Sequence, residues 1–414
     1  MELDTGAAAW VLASSALVLF MTPGLALFYG GMTRSKNVLS MLMMNFYCMG
    51  IVPLIWALVA FSLAFGAAGN GGLIGDFDFV GFRDVGVGLP SGYEWLTIPF
   101  ILFAAFQLTF AVITPALMSG AVADRMKFTA WALFVPIWLI LVYTPVAHWV
   151  FGGGWLAERG ALDFAGGAVV HINAGAGALA LVLILGPRRG WPREAMPPHS
   201  LPLTLLGTGI LWFGWFGFNA GSALAADGVA ASAFMNTFLA ASAGMIAWIG
   251  VETWKAGTPT TLGAASGAVA GLVAITPCAG FVGGMDPIII GFLAGVACFF
   301  AIEMKFKLGY DDSLDVVGIH LVGGLVGSLL LGFFADLDVN PAGADGLFYG
   351  GGWSLLGEQI LAAVVVLAFS FGVTWVIVKV LDTTIGIRST EEDERQGLDL
   401  TQHAEAAYNL ADYT

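Results

Sequence analysis

Two histidines stand inside long apolar runs, and each follows an aspartate by eight residues. His171 closes DFAGGAVVH, which begins at Asp163, and His320 closes DSLDVVGIH, which begins at Asp312. A buried imidazole needs partners even when neutral, because it carries one donor and one acceptor. A cross-helix hydrogen bond would satisfy one such ring. Two rings in matched surroundings, each trailed by a glycine-rich run (NAGAG and LVGG), point to a shared task. Eight helical residues rise about 12 Å. If the aspartates mark opposite surfaces of a core about 30 Å thick, the rings come within about 6 Å along its normal. They are then expected to touch. Dry surroundings disfavour imidazolium, so both rings should be neutral, one donating to the other. Each aspartate stands at a helix start, where a carboxylate caps free N–H groups and meets the positive dipole end. Capping does not prevent either one from also supporting a nearby site.

The other chemistry-bearing residues have plainer readings. His199 falls in a loop, His403 in the C-terminal tail, and His148 near one end of the fourth span, where its ring tip is expected to reach water. Aromatics cluster in FQLTF (Phe106 to Phe110), HWVFGGGW (His148 to Trp155) and WFGFNAGS (Trp215 to Ser222). Most such rings pack cores or form interfacial belts, but a cluster facing the histidine axis would attract small cations. Cys48, Cys278 and Cys298 lie in or at the ends of apolar segments without CxxC spacing, so neither disulfides nor a metal is expected. The sequence has no Walker motif, TVGYG-like filter or nucleophile–base pair. No cofactor and no enzyme activity are expected. A hydrated ion would find few ligands along such a path, whereas a small neutral molecule able to hydrogen-bond would fit.

These groups must be positioned by lipid-embedded helices. Of 414 residues 58% are hydrophobic and 11% charged, against roughly 45–50% and 25% in soluble domains. Apolar stretches fall near 7–31, 38–66, 95–120, 128–150, 164–186, 201–221, 231–254, 262–279, 286–304, 316–335 and 354–381. Their continuous apolar character predicts an all-α integral membrane protein with eleven transmembrane helices rather than a barrel. Of the 15 Lys and Arg residues, all but Arg83 and Arg159 lie in loops after odd-numbered spans or at the C-terminal end. By the positive-inside rule the N-terminus is then outside and the tail cytoplasmic. The N-terminal residues carry no basic stretch of signal-peptide type, so the first span is expected to stay. Spans five and ten run oppositely, which predicts two inverted five-helix repeats, about 7–186 and 201–335, plus an additional C-terminal helix at 354–381. Residues 1–385 form the membrane domain and 386–414 the tail, whose acidic run STEEDERQGLDL reads as a solvated surface. The net charge of −14 offers nothing to nucleic acid.

At this point the sequence resembles the ammonium transporter family. The resemblance is carried by MTPGLALFYGGMTRSKNVLSM, DFAGG with VVHINA, GWFGFNAGS, DDSLDVVGIH and GLDLTQHAEAAY, and it extends over essentially the whole chain. It implies that His171 and His320 line a narrow pore in each subunit of a homotrimer, and that Phe110 and Phe218 close the pore from outside. It also implies that Phe106, Phe110 and Ser222, with the carbonyl of Ala165, form an outer ammonium site supported by Asp163. Where well-known members have Trp before the Gly-Gly-Gly turn, this chain has Phe151. Phenylalanine is the weaker cation–π partner, so weaker recruitment is expected unless Trp149 or Trp155 substitutes. The implied activity is recruitment of ammonium, loss of its proton, and passage of ammonia along the imidazoles in a cell membrane. An ammonium sensor signalling through the tail to a PII-type partner is the alternative.

Overall fold

The computed structural model describes residues 3–408, and the elements are almost all helical. Among the described residues ten helices are long and apolar enough to cross a membrane by length and composition: α1 (Thr5–Met32), α2 (Ser35–Phe65), α3 (Phe100–Met118), α4 (Phe128–Glu158), α5 (Gly167–Leu185), α6 (Leu201–Gly221), α7 (Gly228–Ala256), and, after a shorter α8 (Thr261–Ile275), α9 (Asp286–Leu308), α10 (Val317–Phe334) and α11 (Ser354–Ile385). Two tail helices follow, α12 (Glu391–Gln396) and α13 (Leu398–His403). All eleven expected spans are thus helices, but the eighth stops early. Its 15 residues rise only about 22 Å. Pro277, two residues past its end, has no N–H with which to continue the ladder.

That early stop belongs to an inverted arrangement. The Phe164 amide, just ahead of α5, donates to the Pro277 carbonyl beyond α8 at 3.1 Å. In the other half the Ser313 amide, ahead of α10, donates to the Ala121 carbonyl beyond α3 at 3.4 Å. Each histidine helix therefore starts partway into the fold, covered by the broken end of a helix from the opposite half. Both start with a wide π-helical turn, Gly167–Ile172 and Val317–Leu321, and each turn contains the histidine. Such turns widen the helix by one residue and redirect its side chains. Two further wide turns, Trp56–Ala60 and Leu139–Tyr143, follow Pro53 and Pro136 and have that ordinary cause.

Small residues set the close approaches. A methyl group on Gly175 of NAGAG would press on the backbone of Leu321, and one on Gly324 of LVGG would meet Cβ of His171 at 3.1 Å. The glycine runs trailing the two histidines thus let α5 and α10 cross near the rings. Gly24 and Gly31 of α1 likewise face Ile210 and Thr204 of α6.

Charged loops gather on one face. The Arg34 guanidinium pairs with Asp124 at 2.8 Å, and Arg188 grips both Asp311 carboxylate oxygens at 2.9 Å. Arg125, fully buried, donates to the Asp311 and Gly186 carbonyls and to Ser313 Oγ. The network ties together the loops after α1, α3 and α5 with the loop before α10. The tail packs on the same face. The Asp399 carboxylate accepts from the Leu39 and Ser40 amides at 3.0 and 2.8 Å. Lys36 donates to the carbonyls of Glu394 and Arg395. The acidic run is therefore not simply a solvated surface. Glu394 and Asp399 are each only 2% exposed, because Arg388 pairs with the first and free helix amides with the second.

Candidate functional site

A column of rings runs down the interior between α3, α5, α6 and α10. Phe106 and Phe110 lie four residues apart on one side of α3, with ring centroids 5.0 Å apart. Phe110 meets Phe218 of α6 at 4.5 Å. Below them His171 lies nearly parallel to Phe218 at 6.1 Å and to Trp215 at 5.6 Å. The column ends on His320, nearly parallel to His171 at 5.2 Å. All six rings are buried, none more than 4% exposed.

The histidine nitrogens touch. Nδ1 of His171 and Nδ1 of His320 are 3.2 Å apart. A hydrogen bond between two such nitrogens requires that one carry a proton and the other a lone pair. In neutral rings the tautomers are then opposite: one Nε2 is a donor and the other an acceptor. Nε2 of His171 is buried with no partner of its own. The rings border an enclosed cavity of about 10 Å³. Its other walls are apolar side chains such as Met21, Leu25, Ile113 and Leu211. A water needs about 10–15 Å³ on this measure. The space admits one small molecule and no hydration shell.

Asp163 organises the start of α5. Its carboxylate accepts from the amides of Gly166, Gly167, Ala168 and Val169 at 2.8, 2.7, 2.8 and 3.2 Å. The bend that aims these amides at one carboxylate passes through Gly166 at φ 124°, where a side chain would be strained and would collide with Val170. Burial pushes the Asp163 carboxyl up from its ordinary value, and the four amides pull it back. Asp312 plays the matching part for α10 with fewer bonds. One oxygen accepts from Val317 at 2.7 Å; the other is buried without a partner. Burial pushes its carboxyl up to about 6. Nearby Lys305 donates to its backbone carbonyl at 2.9 Å.

The remaining candidates separate into two places. Ser222 donates to the Phe218 carbonyl at 2.8 Å, one turn further along α6, and Ala165 is buried just ahead of α5. A methyl group on Gly221, beside Ser222, would meet Phe106 Cε2 at 3.0 Å, which sets Ser222 at the Phe106 end of the column. Phe151 does not join the ring column. It lies in the turn that interrupts α4 and lines a separate cavity with residues of the loop between α2 and α3. His148 also departs from expectation. Its ring tip does not reach water: the residue is fully buried, and Nδ1 donates to the Ala64 carbonyl at 2.9 Å. Trp215 is the residue that the motifs alone left without a role. Its place three residues before Phe218 on α6 was the available signal. Its indole N–H is satisfied by Thr276 Oγ1 at 2.9 Å, so its ring face is fixed against His171.

A family model described as the Ammonium Transporter Family matches residues 9–408. An ammonium transporter of Bacillus subtilis is 53% identical over 393 residues, spanning 95% of this chain and 96% of the relative. The crystal structure of Candida albicans Mep2 superposes with a TM-score of 0.88 at 36% identity, covering 95% of this chain and 88% of that one. A solved structure described as a sensor Amt protein gives a TM-score of 0.88 at 29% identity, covering 97% of this chain and 98% of that one.

Proposed function

The chain belongs to the ammonium transporter family, a family of membrane transporters and not of enzymes, and from its ring column we propose that it carries ammonium nitrogen across the membrane as ammonia. The observation that carries this reading is the His171–His320 contact beside a cavity of about 10 Å³. A hydrated cation does not fit there, and a bare ammonium in such apolar surroundings would cost tens of kcal/mol. Ammonia without hydrogen bonds costs only several kcal/mol, and two imidazole edges recover part of that. One edge donates to its lone pair and the other accepts one of its hydrogens.

The positions of the groups and the family resemblance support the remaining roles. Ammonium is collected at the outer end by Phe106, Phe110 and Ser222 with the carbonyl of Ala165, supported by Asp163, and loses its proton there. Phe110 and Phe218, at 4.5 Å, form the gate that ammonia passes. Trp215 holds His171 flat against the path. Residues 1–385 are the transport unit and 386–414 a cytoplasmic regulatory tail, in a plasma-membrane homotrimer with the N-terminus outside. Docking of α12 and α13 on the arginine-bearing face supports a control role and gives a PII-type protein a surface to meet.

Labelled methylammonium uptake into vesicles containing this chain alone tests the proposal. Uptake is expected, and it should be lost when both histidines become leucine. Current recorded in parallel decides whether the separated proton follows. A parent that takes up nothing while its tail binds a PII-type protein would favour the sensor.

A further inference from the structure

The geometry points to a second cation site ahead of the ring column: a cage in the loop between α2 and α3 that takes ammonium or methylammonium from the outer solution. It rests on the transport reading and deepens it. The cage is a cavity of about 340 Å³, lined by Phe65, Phe79, Tyr93, Trp95, Phe151 and Asp78. None of Phe106, Phe110, Phe218 or Ser222 borders it.

Its walls are built rather than loose. Phe65 and Phe79 form a buried base, and the Tyr93 hydroxyl donates to the Phe65 carbonyl at 2.5 Å. Trp95 stands at the rim, more than half exposed, with its ring 6.3 Å from Tyr93. Phe103 of α3 packs behind this wall, 5.1 Å from Phe65 and 5.7 Å from Tyr93. Phe103 precedes Phe106 by three residues and so shares its helix face, which sets the cage against the outer end of the column.

The charge suits a cation. Asp78 reaches the cavity from a turn in which its amide donates to Asp76 Oδ1 at 3.1 Å. Among the described residues neither carboxylate forms an ion pair. Arg83, in the same loop, lines an adjoining cavity of about 780 Å³ with Asp78 and Asp84 and pairs with neither. Repulsion from Asp76 pushes the Asp78 carboxyl up, a strain that a bound cation relieves. Carboxylates alone would only mark a wet surface. Aromatic faces around a cavity with an anion at its edge are the chemistry that holds alkylammonium ions. The cage also gives Phe151 a place: it forms the wall where the outer cavity meets α4.

The test is methylammonium uptake against concentration, with tetramethylammonium as a competitor too large for the pore. Asp78→Asn and Trp95→Leu should each raise the half-saturating concentration about 3–10-fold. Tetramethylammonium should compete in the parent and lose most of its effect in both variants. Asp338→Asn, an exposed acid outside the cage, should change neither reading. The proposal is overturned if Asp78→Asn and Trp95→Leu match the parent in both respects, or if Asp338→Asn shifts half-saturation as much as Asp78→Asn. A parent that takes up nothing defeats the transport reading instead. Calorimetric titration of tetramethylammonium into solubilised parent and Asp78→Asn then judges the cage alone: binding lost in the variant supports it, and equal or absent binding overturns it.

Discussion

Replacing Asp163 by asparagine tests how the histidine helix is held. The carboxylate accepts four amide hydrogens, two on each oxygen, at 2.7 to 3.2 Å. An asparagine keeps one accepting oxygen and turns an NH₂ group toward the other two amides, so donors face donors. Two buried N–H groups are left without partners, at about 1–3 kcal/mol each, and charge assistance is lost on the remaining pair. The change should destabilise the protein by about 2–6 kcal/mol and lower the melting temperature by roughly 2–7 °C. It should also loosen the wide turn that aims His171, so transport falls even in molecules that stay folded. Thermal unfolding in detergent, followed by tryptophan fluorescence, gives the first number, and uptake in vesicles gives the second. A variant with parental melting temperature and parental uptake would refute the idea that these four bonds set the start of α5.

Three further outcomes follow. Arg188→Met strands the buried Asp311 carboxylate and should cost about 3–5 kcal/mol near neutral pH. Burial alone would raise the Asp311 carboxyl, but Arg188 holds it below its ordinary value. That stabilisation is present above the unfolded value of about 3.9 and is lost as pH falls through the lower folded one. The gap in melting temperature between parent and variant should therefore narrow as pH drops, and a constant gap would contradict the pairing. Asp399→Ala removes acceptors for the Leu39 and Ser40 amides; a cap worth about 1 kcal/mol implies about 5-fold faster proteolysis of the tail. Phe151→Trp supplies a stronger cation–π face and should lower the half-saturating methylammonium concentration about 2–5-fold; an unchanged value would show that this ring does not meet the cation.

Much of the fold was legible because lipid imposes simple rules. Continuous apolar runs gave all eleven spans, and the eight-residue Asp-to-His spacing anticipated rings meeting from two inverted halves. Their Nδ1 atoms lie 3.2 Å apart. The glycine runs after each histidine read as small-residue packing, and the crossing of α5 and α10 gives that packing its location. What sequence left hidden depends on contacts distant along the chain. His148 is buried because the Ala64 carbonyl, 84 residues earlier, accepts from it. Asp399 is buried because amides some 360 residues away need an acceptor. Phe151 borders a loop whose path no periodicity encodes. The eighth helix ends at Ile275 because of Pro277, a stop that hydropathy averages away.

Passage of neutral ammonia between two imidazoles is the central step, and His171→Leu measures it most directly. Leucine keeps the lumen closed and apolar while removing one donor–acceptor ring. Losing one hydrogen-bonding partner worth about 1–3 kcal/mol should slow maximal methylammonium uptake roughly 5- to 150-fold, with little change in half-saturation. Uptake at the parental rate by a correctly folded His171→Leu protein would contradict it.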